Sequence, residues 1–201
     1  LIAAALLVPA GDVPSCPPAQ IPVACADVSH RNNLERADDE FALLIDASDG
    51  QLDELTLLEA ALLAGGSTDA KFADMATRFH AECKRLRSAT PDGEREREAA
   101  QRIFESLHES VFTGRYQARC SDCAVALEHG DYNCVTATLL YVEALRINGI
   151  QAEPYAMVGH VFCRVGKEQF DVETTCPRWF RLSHDEASRA ARRAAPRAHA
   201  R

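Results

Sequence analysis

Hydrophobic positions divide the chain into a helical first half and a second half where strands take over. Residues 11–33 carry four prolines and polar residues without period, which predicts a linker, and order resumes near Leu34. From there Ala37 to Ile45 and Leu52 to Leu63 read as helices separated by Asp46-Ala47-Ser48-Asp49-Gly50, the second ending at Gly65-Gly66. Ser67 is placed to cap a third helix running to about Arg87. Pro91-Asp92-Gly93 breaks the chain, and Ala100, Ile103, Phe104, Leu107 and Val111 then mark one face of a fourth amphipathic helix. Core packing accounts for these stripes without any ligand.

Cys134 to Ile147 is apolar nearly all round, which predicts a helix buried on most sides and ended by Asn148-Gly149. Ala152 to Val158 and His160 to Val165 read as strands. Gly166-Lys167 offers a two-residue turn with glycine first, and Glu168 to Val172 returns. The fold class expected is α+β: a helical N-terminal half packed on a buried helix and a small antiparallel sheet. One domain over 34–180 suits a chain of 201 residues.

Charge and composition narrow the function. The formal charge is −8, and residues 184–201 hold five arginines against Asp185 and Glu186, leaving −11 on the rest. An acidic body argues against nucleic acid as a partner. No apolar run approaches the roughly 20 residues of a membrane-spanning helix. Leu1 to Ala10 reads as the apolar centre of a secretory signal, which predicts export; the plain alternative is a buried helix start in a cytoplasmic chain. The basic tail, 181–201, reads as helical or frayed.

Eight cysteines (Cys16, Cys25, Cys83, Cys120, Cys123, Cys134, Cys163, Cys176) suit an oxidising compartment. If one thiol stays free for chemistry, the other seven cannot all pair within the chain, so at least one more is free.

Cys134 stands where the polar loop Glu128 to Asn133 meets the buried helix. A thiol at a helix N-terminus feels the positive end of the dipole, which favours thiolate, and the backbone N–H groups there can hold an oxyanion. Taken alone, Cys134 reads as an inert core cysteine, the usual role of a cysteine on an apolar helix. A two-residue turn at Gly166-Lys167 pairs Val165 with Glu168, Phe162 with Asp171 and His160 with Glu173. His160, Asp171 and Glu173 then share a face, with Asp171 the diagonal neighbour of His160. A carboxylate there accepts the Nδ1 proton and turns Nε2 to the thiol. The expected catalytic residues are therefore Cys134 as nucleophile, His160 as base and Asp171 as the orienting acid, with Glu173 able to share or replace that last role. Tyr132 is a candidate second oxyanion donor, beside its plain reading as a loop aromatic.

Gly130-Asp131-Tyr132-Asn133-Cys134-Val135-Thr136-Ala137 through Leu145-Arg146-Ile147-Asn148-Gly149-Ile150-Gln151-Ala152 resembles the transglutaminase-like core. Cys134, Arg146-x-x-Gly149-Ile150, His160 and Asp171 fall in that superfamily's order, and Phe41 to Asp46 resembles the helical leader of a bacterial branch often attached to tetratricopeptide repeats. The core resemblance covers about 110–175. It implies a papain-like fold and a cysteine hydrolase or acyltransferase acting on a peptide or protein substrate, with no metal or organic cofactor required. Inactive peptide-binding relatives share the fold. The pattern departs from the family at Val161-Phe162 after the histidine and at Asp171-Val172-Glu173-Thr174 around the acid.

A rival reading takes Cys120-x2-Cys123-x5-His129-x4-Cys134 as four zinc ligands, which makes Cys134 structural. Against it, Ala124 to Glu128 prefers to be helical.

Overall fold

The computed structural model describes Leu43 and residues 45–48, 51–66, 69–88, 95–167 and 169–180. The expected leader and linker at 1–33, most of the helix expected over Ala37 to Ile45, the Ser67 cap and the basic tail at 181–201 lie outside the described residues.

The first complete helix, α1 (Leu57–Ala64), begins five residues later than hydrophobicity alone predicts. The Asp46 carboxylate accepts from the backbone N–H groups of Asp53, Glu54 and Leu55, which fixes that stretch as a turn. Thr56 then starts the helix through a reciprocal bond pair with Glu59. It ends at Gly65 as expected. Two longer helices follow, α2 (Asp69–Ser88) and α3 (Glu96–Ser110), the latter burying Ala100, Ile103, Phe104 and Leu107. The short α4 (Cys123–His129) is capped by Asp122, which accepts from the Ala124 N–H at 2.8 Å.

All of these surround α5 (Cys134–Ile147), whose residues from Tyr141 to Leu145 are buried without a break. Tyr141 sits edge-on to Phe104 and donates to the Ala100 carbonyl at 2.9 Å, so its buried hydroxyl is satisfied. Glu143, also buried, meets His80 of α2 at 3.0 Å. Asn148 caps the C-terminus, and Gly149 adopts φ 78°, the left-handed turn that glycine accepts most readily. Arg146 donates to the Ala152 carbonyl and ties the helix end to the first strand.

Three antiparallel strands, β1 (Ala152–Met157), β2 (His160–Val165) and β3 (Phe170–Val172), lie in that order, and the sheet buries Ala152, Cys163, Val165 and Val172 in the common core with α5. Thr138 of α5 donates to the Val161 carbonyl and meets the Thr174 hydroxyl at 2.8 Å, pinning the helix to β2 and to the segment after β3. The architecture is α+β. No helix among the described residues is long and apolar enough to cross a membrane.

The second hairpin differs from the expected two-residue turn. Val165 pairs with Phe170, Arg164 with Asp171 and Cys163 with Val172. Gly166 N–H donates instead to the Gln151 carbonyl, and Lys167 N–H to the Glu96 carboxylate, so neighbouring elements engage both expected turn residues. The loop closes through Gln169 N–H to Gly166. A slip of two residues leaves parity intact, so His160, Asp171 and Glu173 still share a face. What changes is which carboxylate lies diagonal to His160.

Candidate active site

The site begins with a close approach of two segments. Gly114 N–H donates to the Gly130 carbonyl, Tyr132 N–H to Arg115 and Gln117 N–H to Tyr132, zipping 114–117 along 130–132 with Tyr116 and Tyr132 as bridge partners. Asp131 reinforces the zip by accepting from Arg115 N–H at 2.8 Å and from the Gln117 side chain. Gly130 has φ 76°, and a Cβ there would stand 2.6 Å from the Gly114 nitrogen. Glycine is required because the backbones touch.

Asn133 follows as the N-cap of α5. Its Oδ1 accepts from Val135 and Thr136 N–H, its own N–H donates to Thr136 Oγ1, and its amide reaches Ser121 and the Ala118 carbonyl. Ala137 N–H is taken by the Asn133 carbonyl. Cys134 is the first residue of the helix, so its own N–H has no acceptor within the helix.

The Cys134 side chain is 9 % exposed and hydrogen-bonds to the His160 ring and the Val161 N–H. Burial pushes this thiol up, but those two bonds and the His160 charge outweigh it, and the thiol is held below its ordinary value. His160 is pushed up to about 10 by its bonds to Cys134 first and Glu173 second, against burial. Thiolate and imidazolium therefore stabilise each other.

Glu173, one residue beyond β3, takes the place expected for Asp171. His160 Nε2 stands 2.5 Å from Glu173 Oε2. A carboxylate only accepts, so Nε2 is the donor and Nδ1 is the nitrogen available to sulfur, the reverse of the ring orientation expected from sequence. Glu173 Oε1 accepts from Thr175 N–H and Oγ1, at 3.1 and 2.6 Å, so both carboxylate oxygens are engaged and the group, 4 % exposed, is held in one orientation. Asp171 is occupied elsewhere: its Oδ1 lies 2.9 Å from Arg164 Nε, its partner directly across the strands. The two-residue slip explains both facts. Continuing the observed register places Glu173 opposite Phe162 and so diagonal to His160, where the shorter turn had placed Asp171.

The tyrosines divide differently from expectation as well. Tyr132 donates to the Thr175 carbonyl at 3.2 Å and packs against Phe112. Its bridge partner Tyr116 hydrogen-bonds to Cys134, and burial first, then the Cys134 charge, pushes the Tyr116 phenol up. No spacing rule singles out Tyr116; the only signal in the sequence is a tyrosine two residues after a glycine that meets Gly130.

The four residues of the zinc reading do not converge. Cys123 and His129 stand at opposite ends of α4, about 9 Å apart along its axis at ~1.5 Å per residue. The His129 side chain is 67 % exposed, and Cys134 is bonded to His160. Among the described residues no cluster of three or more metal-ligating side chains forms. Cys83, Cys120, Cys123, Cys134 and Cys163 are free thiols, and Cys176 is disulfide-bonded.

A cavity of about 450 Å³ lined by Arg146, Glu153, Arg164 and Gln169 lies at the other end of α5, roughly 20 Å from Cys134 at ~1.5 Å per residue, and holds none of this chemistry.

No family model, no curated protein and no solved structure matches the chain.

Proposed function

We propose that this chain is a cysteine-dependent acyl-transfer enzyme of the transglutaminase-like, papain-fold type, acting on amide bonds of a peptide or protein through Cys134, His160 and Glu173. The observation that carries it is the continuous hydrogen-bonded series of thiol, imidazole and buried carboxylate. A core assembled for packing alone has no need to place an ion pair at a helix N-terminus and support it with a carboxylate bonded on both oxygens.

The steps follow from the positions. The Cys134 thiolate attacks a carboxamide carbon, and the carbonyl π pair moves to oxygen. His160, carrying the proton from sulfur, delivers it to the departing amine as the C–N bond breaks. A thioester remains, and water or an acceptor amine, deprotonated by His160, resolves it and regenerates the thiol. Glu173 holds Nε2–H throughout and stabilises the imidazolium.

The test is the alkylation rate of each thiol by iodoacetamide against pH, read by peptide mass spectrometry, with acylation by p-nitrophenyl acetate alongside. Burial pushes Cys83 and Cys123 up to about 12. Cys134 should therefore react selectively below the ordinary thiol range, become acylated, and lose both reactivities in His160→Ala. A Cys134 no faster than the other thiols, or one alkylated but never acylated, would end the enzyme reading.

A further inference from the structure

Attack by sulfur on a carbonyl creates a negative oxygen that needs two donors, and the geometry around Cys134 supplies one plainly. Its own N–H is the donor of the first turn of α5 that the Asn133 cap does not consume, since Val135, Thr136 and Ala137 N–H are all engaged. A second donor must approach from outside the helix. Tyr132, suggested by the sequence, is excluded because its hydroxyl is committed to the Thr175 carbonyl.

Tyr116 is differently placed. The zip between 114–117 and 130–132 sets its backbone beside the residue two before Cys134, and its ring stands edge-on to Tyr132 at 6.0 Å between centroids. Its hydroxyl is turned toward the Cys134 thiol, whose charge acts on the phenol. The triad chemistry does not use this group, since His160 handles the proton and Glu173 orients His160.

We infer that the Tyr116 hydroxyl, set beside Cys134 by the pairing of Tyr116 with Tyr132, is the second oxyanion donor of the acyl-transfer site and bonds the substrate's carbonyl oxygen as the tetrahedral intermediate forms. As the S–C bond forms, negative charge leaves sulfur and appears on an oxygen bonded to the carbon that sulfur has just joined. A hydroxyl beside that sulfur meets the new charge by a small rotation and keeps its proton. When the intermediate collapses, the C=O bond re-forms, the leaving group departs with the electron pair of its broken bond, and the hydroxyl is released.

The inference rests on the acyl-transfer reading, and two probes separate them. Iodoacetamide alkylates sulfur by direct displacement at carbon and generates no oxyanion. p-Nitrophenyl acetate acylates through one. In Tyr116→Phe, with rates taken on the plateau of the alkylation pH profile, alkylation of Cys134 should stay near the wild-type rate while acylation falls on the order of 10²-fold, the cost of losing one such donor. Tyr116→Leu, which lacks the hydroxyl and the ring, should show the same split. Tyr132→Phe also removes a buried hydroxyl from this cluster and should leave the ratio of the two rates unchanged. Equal losses with both probes in both Tyr116 variants, or no loss with either, would overturn the donor role. A wild-type Cys134 that fails to acylate at all would instead remove the reading beneath it.

Discussion

Glu173→Gln and Asp171→Asn form the sharpest pair of perturbations, because parity alone allows either carboxylate to serve His160. In the structure the His160–Glu173 contact is a charge-assisted bond at 2.5 Å on a carboxylate that is 4 % exposed. Such bonds contribute about 1.5–3 kcal/mol, against about 1 kcal/mol for a neutral replacement. The difference, about 0.5–2 kcal/mol, corresponds to roughly half a pH unit to one and a half in His160, since about 1.4 kcal/mol is tenfold. His160 stands at about 10 against its ordinary 6.5, with Cys134 as the larger contributor, so Glu173→Gln should lower it without returning it to 6.5. The sign for stability follows. A raised histidine stabilises the native chain fully below 6.5 and loses that contribution as pH climbs through about 10; the variant should lose it at lower pH. Acylation of Cys134 at neutral pH should fall by roughly 2- to 30-fold, and the alkaline limb of its pH profile should move down by about half a unit to one and a half. Asp171→Asn breaks only the Arg164 pair, both members 28 % exposed, and should cost about 0–1 kcal/mol of stability with acylation nearly unchanged. The assay is the p-nitrophenyl acetate burst from pH 5 to 11 on both variants. Loss of the burst in Asp171→Asn with retention in Glu173→Gln would refute the reasoning.

Three further outcomes can be measured on the purified chain. Gly130→Ala forces a side chain onto φ 76° and places its Cβ 2.6 Å from the Gly114 nitrogen, so chemical denaturation should show a loss of more than about 2 kcal/mol. Asn133→Ala removes the acceptor of two helix N–H groups and strands the Ser121 contact, so it should cost about 1–2 kcal/mol and slow Cys134 alkylation through a frayed first turn. His108 donates to the Thr174 carbonyl at 3.1 Å, and burial holds its ring down at about 4 against an ordinary 6.5. It therefore stabilises the fold fully above 6.5, with the contribution falling away as pH drops toward about 4; melting temperature should fall over that window more steeply in the wild type than in His108→Gln.

Where pattern and local chemistry decide an element, the sequence was legible. Continuous apolarity with a polar loop before it and Asn-Gly after it located α5 from Cys134 to Ile147, and the strand expected from His160 to Val165 has those bounds as β2. Cys134 and His160 were placed correctly in the fold for the same reason: each stands at the first residue of an element whose start is locally encoded. The start of α1 was not, because Asp46 reaches seven to nine residues forward to hold the turn before it. Periodicity carries no record of such a bond.

Which carboxylate meets His160 was hidden by the same kind of tertiary effect. Gly166-Lys167 has the composition of a two-residue turn, yet Gln151 and Glu96 take the N–H groups of those residues and lengthen the loop. Glu96 lies on α3, about 70 residues away in sequence, and its carboxylate occupies the space a Cβ at Gly166 would need. A contact made at one end of the hairpin thus determines which carboxylate meets His160 at the other, because strand register transmits a displacement along its whole length. Parity restricted the choice to residues 171 and 173, and only the register separated them. Tyr116 illustrates the same limit from the other side. Its place beside Cys134 depends on two glycine-bearing segments, 16 residues apart in sequence, lying against each other, and no property of Tyr116 itself distinguishes it from Tyr132 until that approach is made.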